Sequence, residues 1–122
     1  MAQKTILIVD DNAPFRQYLR ALVQDAGHIA IEAADGQTGI DMMQSQNPDA
    51  VLLDLLMEPM GGFELRRQMN GTLADAPTIL VTADESSDVL WRAQQLGCSG
   101  VIRKPVMPKQ LMPILKIGRA HV

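Results

Sequence analysis

Asp10-Asp11-Asn12, Asp54, Thr82-Ala83 and Lys104-Pro105 are the residues of this chain whose types could do chemistry together. Each stands where a run of aliphatic, β-branched residues gives out, the place where a buried strand would end. If the runs before Asp10 and Asp54 are neighbouring strands, their ends lie ~4.8 Å apart, and three carboxylates converge. Each like-charge pair at ~4 Å costs ~4 kcal/mol at an effective dielectric near 20. Such a cluster needs raised pKa values or a cation. Oxygen-only ligands suit Mg²⁺, with waters completing its shell, and Lys104 would bring a second positive charge. Taken singly, each residue has a plainer reading. An Asp after a strand is usually a helix cap, a lone Thr82 is a strand or capping residue, and a lone Lys104 is a solvated surface group. The combination, each member at the right end of its segment, is far more specific.

The segments that would position these residues alternate in period. Thr5–Val9 (TILIV) reads as a strand buried on both faces, since it lacks polar alternation. Phe15, Leu19, Leu22, Val23 and Ala26 lie at helical spacing, with Gly27 as the stop. A second strand follows over Ile29–Ala33, then a helix over Gly36–Gln46 closed by Asn47-Pro48. Ala50–Leu53 is a strand ending at Asp54, Gly61–Met69 a short helix and Asn70–Pro77 a loop. Thr78–Val81 is a fourth strand, and Val89, Ala93 and Leu96 mark a helix ending at Gly97. Gly100–Ile102 is a fifth strand, and Pro108–Lys116 the last helix. Strand and helix alternating in this way imply an α/β fold: a parallel sheet with helices on both faces and right-handed crossovers. In such sheets sites form at the carboxyl ends of the strands, which is where the chemistry-bearing residues stand.

With 122 residues the chain has the size of one domain. Apolar residues at 47% and charged residues at 20% argue against disorder. Aromatics are 3%, so the core is built from Ile, Leu, Val, Ala and Met, and Met42, Met43, Met57 and Met60 read as core filling. One cysteine, Cys98, excludes an internal disulfide and a Cys-rich zinc site, and reads as a buried small hydrophobe. The two histidines, His28 and His121, exclude multi-histidine metal chemistry, and His28 is expected at the surface. The apolar run Ile6–Val9 is too short for a signal peptide or a membrane span. A cytoplasmic, soluble protein is the expectation. Residues 1–58 carry nine acids and three bases, a net of −6, whereas residues 59–122 carry five and eight, a net of +3. That balance offers no basic footprint for nucleic acid.

Over residues 4–116 the chain resembles the receiver domain of bacterial response regulators. Asp10-Asp11 is similar to that family's acid pair, Asp54 to its phospho-accepting aspartate, Thr82 to its switch hydroxyl and Lys104-Pro105 to its Lys-Pro step. The resemblance implies a flavodoxin-like doubly wound (βα)5 fold, strand order 2-1-3-4-5, and a cis peptide before Pro105. It also implies roles. Asp54 takes a phosphoryl group from a phosphohistidine on a sensor histidine kinase or phosphotransfer protein. Mg²⁺ is held by Asp11, Asp54 and the backbone carbonyl of Leu56, with Asp10 acting through water. Lys104, the Thr82 hydroxyl and the Ala83 N–H take the phosphoryl oxygens. The receiver would occupy residues 1–116, assist its own phosphoryl chemistry without being a dedicated enzyme, and offer a homodimer contact through the helix 4, strand 5 and helix 5 face.

Three positions depart from the family pattern. Glu58 stands where Pro is common, with Pro59 after it; Gly61-Gly62 replaces Asp-Gly or Asn-Gly; and Val101 occupies the place of the switch aromatic. With Val101 there, phosphorylation is expected to act on the Thr82–Ser87 loop and the start of the next helix more than on Val101, and partner recognition to rest mainly on the helix 4 surface, including Asp88 and Arg92. The closing residues 117–122 (IGRAHV) match the in-frame translation of a common sequencing-adapter read and fit the last helix poorly, so a non-native or truncated tail is expected, with a longer natural chain beyond it. The rivals are a receiver-like interaction module that works without phosphorylation, an Asp-dependent phosphatase, and a flavin binder. A phosphatase would want a second acid where Leu56 stands, and a flavin phosphate would be repelled by Asp10-Asp11.

Overall fold

The computed structural model describes residues 3–69, 76–84 and 86–115, with the side chains of residues 112, 114 and 115 excepted. Most of the loop expected over Asn70–Pro77, and the tail 117–122, lie outside the described residues. Five strands, β1 (Thr5–Val9), β2 (Ile29–Ala33), β3 (Ala50–Asp54), β4 (Thr78–Thr82) and β5 (Gly100–Arg103), alternate with five helices. The helices are α1 (Ala13–Asp25), α2 (Gly36–Gln46), α3 (Gly62–Met69), α4 (Val89–Gln95) and α5 (Pro108–Leu115). The sheet is parallel in the order β2-β1-β3-β4-β5, the order that the receiver resemblance implied.

The continuous apolar strands are explained by two cores, one on each face. Ile6 and Ile8 of β1 pack with Leu19, Val23, Ile102 and Leu111, on the side of α1 and α5. Leu7 and Val9, pointing the other way, pack with Met43, Leu53, Leu65, Met69 and Ala93, on the side of α2, α3 and α4. Successive side chains of a strand face opposite sides, so a strand covered on both loses its polar alternation. Met43 and Met57 are buried and Met42 and Met60 pack against the second core, in keeping with the filling role read from the sequence.

Two expectations need correcting. His28 is buried, not at the surface: its Nδ1 accepts the Lys4 N–H at 3.0 Å. The reason is register, because Ile29 N–H donates to Lys4 O at 2.8 Å and draws His28 in beside the start of β1. Cys98 is only half-buried, packed against the second core, and burial raises its thiol pKa.

The packing of α4 is asymmetric. At its C-terminal end, the buried Arg66 of α3 donates from Nε to Leu96 O (3.0 Å) and from Nη2 to Gly97 O (3.1 Å). A cation at the carbonyl end of a helix complements the helix dipole. Gly97 takes φ +75°, a conformation that a side chain would strain. At the other end, Asp88 makes no side-chain capping bond.

Candidate functional site

The capping role that a lone Asp would take after β1 falls to Asn12, whose side chain accepts the Phe15 N–H at 2.9 Å. That leaves Asp10 and Asp11 for other work. Asp10 is 1% exposed; its Oδ1 accepts the Asn12 N–H at 2.8 Å, and its backbone carbonyl accepts Arg16 Nη1 at 2.6 Å. Arg16 is itself held by Glu32 at 2.9 Å, and Glu32 by Arg20 at 2.7 Å. This brace beneath the acid pair escaped the sequence reading, because Arg16 and Arg20 lie on the polar side of an amphipathic pattern and look like solvated charges.

Because β1 and β3 are paired in register, Asp54 arrives beside the acid pair. Carboxylate oxygens of Asp10, Asp11 and Asp54 lie within 4.8 Å of one another. Asp54 is 4% exposed. Burial first, and then the Asp10 charge, push its pKa up from 3.8 to about 6, against the opposing pull of Lys104. Lys104 comes in from the end of β5, its Nζ 3.4 Å from Asp10 Oδ2 and 3.7 Å from Asp54 Oδ1. The peptide before Pro105 is cis, as is the one between Glu58 and Pro59, which no reading of the sequence pointed to.

A fit to a divalent cation is visible in the donor set. Three carboxylates share one small space with the Lys104 ammonium, and burial together with the surplus negative charge leaves Asp54 reluctant to ionise. Such hard oxygen donors match Mg²⁺, which would neutralise the surplus. Leu56 sits two residues beyond Asp54, its side chain exposed and its N–H donating to Asp54 Oδ1 at 3.3 Å. Glu58 is exposed and is not one of the three clustered acids.

On the far side, Thr82 is fully buried at the end of β4, and its Oγ1 accepts the Asp84 N–H at 2.9 Å. Ala83 beside it is exposed. Arg103, paired with Thr82 across the β4–β5 ladder, donates to Asp84 O at 2.6 Å. The loop after β4 is therefore tied to β5 through Arg103, while Val101 sits half-buried against the second core. Asp10, Asp11, Asp54 and Lys104 meet at one point. Thr82 and Ala83 flank it one strand over.

The model of the response regulator receiver domain matches residues 6–116. The chain is 34% identical over 118 residues to the phosphate regulon transcriptional regulatory protein PhoB of Pseudomonas aeruginosa, covering 95% of this chain and 52% of that protein. Protein PilH of the same organism is 33% identical over 110 residues, with 88% and 90% covered. The chain thus spans about half the length of PhoB and of the MprA response regulators it also matches. Among solved structures, the Vibrio cholerae chemotaxis protein CheY4 superposes with a TM-score of 0.85 at 29% identity, over 93% of this chain and 97% of that one. With the family model, the sheet order and the relatives in agreement, the chain belongs to the response regulator receiver domains.

Proposed function

We propose that this receiver is a phosphorylation-controlled switch in two-component or phosphorelay signalling, with Asp54 as the phosphoacceptor. One observation carries the reading: a buried carboxylate at the end of β3 stands beside an acid pair and within 3.7 Å of a lysine ammonium. An Asp54 oxygen attacks the phosphorus of a phosphohistidine on a sensor histidine kinase or phosphotransfer protein. The phosphorus–nitrogen bond breaks, and the imidazole leaves with a proton. Asp11, Asp54 and the Leu56 carbonyl would hold Mg²⁺, with Asp10 acting through water, and the ion would supply charge neutralisation as an anion enters an anionic site. The Lys104 ammonium pairs with one phosphoryl oxygen, and the Thr82 hydroxyl and Ala83 N–H bind others. The domain works in the cytoplasm as a partner-binding switch and binds no nucleic acid itself. Among the described residues no helix is long and apolar enough to cross a membrane. The large apolar side chains of Leu90, Trp91 and Met107, each more than half exposed, support a contact surface, for a partner or a second copy, around α4, β5 and α5.

Incubation with acetyl phosphate and magnesium, read by intact mass, tests the acceptor. The parent gains one phosphoryl group, and Asp54→Asn or added EDTA abolishes the gain. Equal labelling of parent and variant, or labelling indifferent to EDTA, sinks the assignment.

The switch has a separate expected outcome. The Thr82 Oγ1 accepts the Asp84 N–H, so a move of Thr82 that brings its O–H to a phosphoryl oxygen pulls on the loop after β4. The small, branched Val101 has little area to move from solvent to core. On adding beryllofluoride, amide and methyl NMR shifts are therefore larger from Thr82 to Ser87 and at the start of α4 than at the Val101 methyls. A silent loop with large Val101 shifts would reverse this order.

A further inference from the structure

A lysine on four rotatable bonds makes a poor fixed group unless something holds it. Lys104 lies with its Nζ 4.1 Å from the centroid of the Phe15 ring, while facing Asp10 at 3.4 Å and Asp54 at 3.7 Å. Phe15 belongs to the first turn of α1, fixed there by its N–H bond to the Asn12 cap. Its ring leans on Tyr18, with centroids 6.0 Å apart. Tyr18 in turn donates its hydroxyl to Val106 O at 2.7 Å. Helix α1 therefore grips the segment Lys104–Val106 twice, by a ring beneath the ammonium and by a hydroxyl on the backbone two residues on. The whole chain has four aromatic residues, and two of them are placed here.

We propose that Phe15 is a positioning residue for Lys104. The face of an aromatic ring attracts a cation through its quadrupole. Unlike a carboxylate, it does so without neutralising the charge or occupying an N–H donor. The ammonium is kept over Asp10 and Asp54 with its full charge, so that a phosphoryl group on Asp54 meets a cation already in place. In sequence, Phe15 looks like an ordinary member of the apolar stripe of α1, and part of its surface does pack against the first core. The ring rather than the bulk is what the positioning role requires.

The role in phosphoryl binding rests on the phosphoacceptor reading above, whereas the ring–ammonium contact does not, and the two can fail separately. In the metal-free protein, the Lys104 methylene protons next to Nζ show an upfield ring-current shift by NMR. The shift is kept in Phe15→Tyr and lost in Phe15→Leu. With magnesium present, Phe15→Leu weakens beryllofluoride binding about tenfold by calorimetry, in line with a partly buried cation–ring contact. Phe15→Tyr stays within about twofold of the parent. In a Lys104→Ala background the Phe15→Leu effect vanishes. Should the leucine variant unfold, Phe15→Met fills similar space without a ring and is expected to show the same loss. Beryllofluoride binding indifferent to loss of the ring, or a loss equally large without Lys104, overturns the proposal. A parent that binds no beryllofluoride overturns the phosphoacceptor reading and, with it, the positioning of Lys104 for phosphoryl binding.

Discussion

Metal-free Asp54→Asn is more stable than the parent at pH 7.5 by about 1–3 kcal/mol, and the gap disappears near pH 4. The native pKa of Asp54 is about 6, above its ordinary 3.8. Its protonated form therefore contributes stability that is fully present below pH ~4 and is lost as pH rises through about 6. Every tenfold gain in proton affinity on folding is worth about 1.4 kcal/mol, which sets the upper end of the range. The lower end allows for local relaxation and water entry, which soften the cost of burying a carboxylate. Asparagine removes the charge and keeps an oxygen for the Leu56 N–H. Urea titrations of both proteins from pH 4 to pH 8 measure the difference. Saturating magnesium narrows it at pH 7.5 by stabilising the parent. A parent that equals or exceeds the variant at pH 7.5 without metal would show that the acid cluster is not under charge strain.

Gly62→Ala is expected to cost about 2–3 kcal/mol and to cut phosphoryl uptake severely. A Cβ on Gly62 would lie 2.6 Å from Asp54 O and 2.8 Å from Leu55 Cα. Both are backbone atoms, so relief requires moving the strand end that carries the acceptor, not turning a side chain. Gly62 N–H also donates to Leu55 O at 2.9 Å, which fixes the close approach. Its neighbour differs: a Cβ on Gly61 meets Leu55 O at 3.1 Å and little else. Gly61→Ala stays within about 1 kcal/mol of the parent, because reduced freedom of the unfolded chain offsets a tight contact. Denaturation midpoints and acetyl phosphate labelling of the two variants check both halves. Equal stability of Gly62→Ala and parent would refute the account.

The same pair of glycines marks where sequence reading stops. As letters, Gly61-Gly62 announces a turn; only the packing of α3 against the end of β3 tells which glycine cannot change. The strands were legible because unbroken aliphatic runs such as TILIV need cover on both faces, and the acid cluster because residues at strand ends converge in a parallel sheet. Contacts that join distant segments through one long side chain were not. Arg16 under Asp10, Arg103 on Asp84 and Arg66 on the end of α4 all sit at positions whose local pattern says only polar and helical, or strand end. His28 was misplaced for a related reason. Its burial comes from pairing between Lys4 and Ile29, a register that no local window contains.

Arg66 gives α4 a mechanical polarity. A helix pinned at one end by a buried guanidinium and lacking a side-chain cap at the other is a lever whose fulcrum is the pinned end, here Leu96 and Gly97. From fulcrum to tip is ~10 Å, at 1.5 Å of rise per residue. A tilt of about 6° then carries the tip ~1 Å while the fulcrum stays still. The tip is the end joined to the Thr82 loop, so a pull on that loop acts at full arm. Leu90 and Trp91 ride near the tip with most of their surface in solvent. The apolar side chains that a partner would feel are thus mounted where the smallest motion at the loop travels furthest.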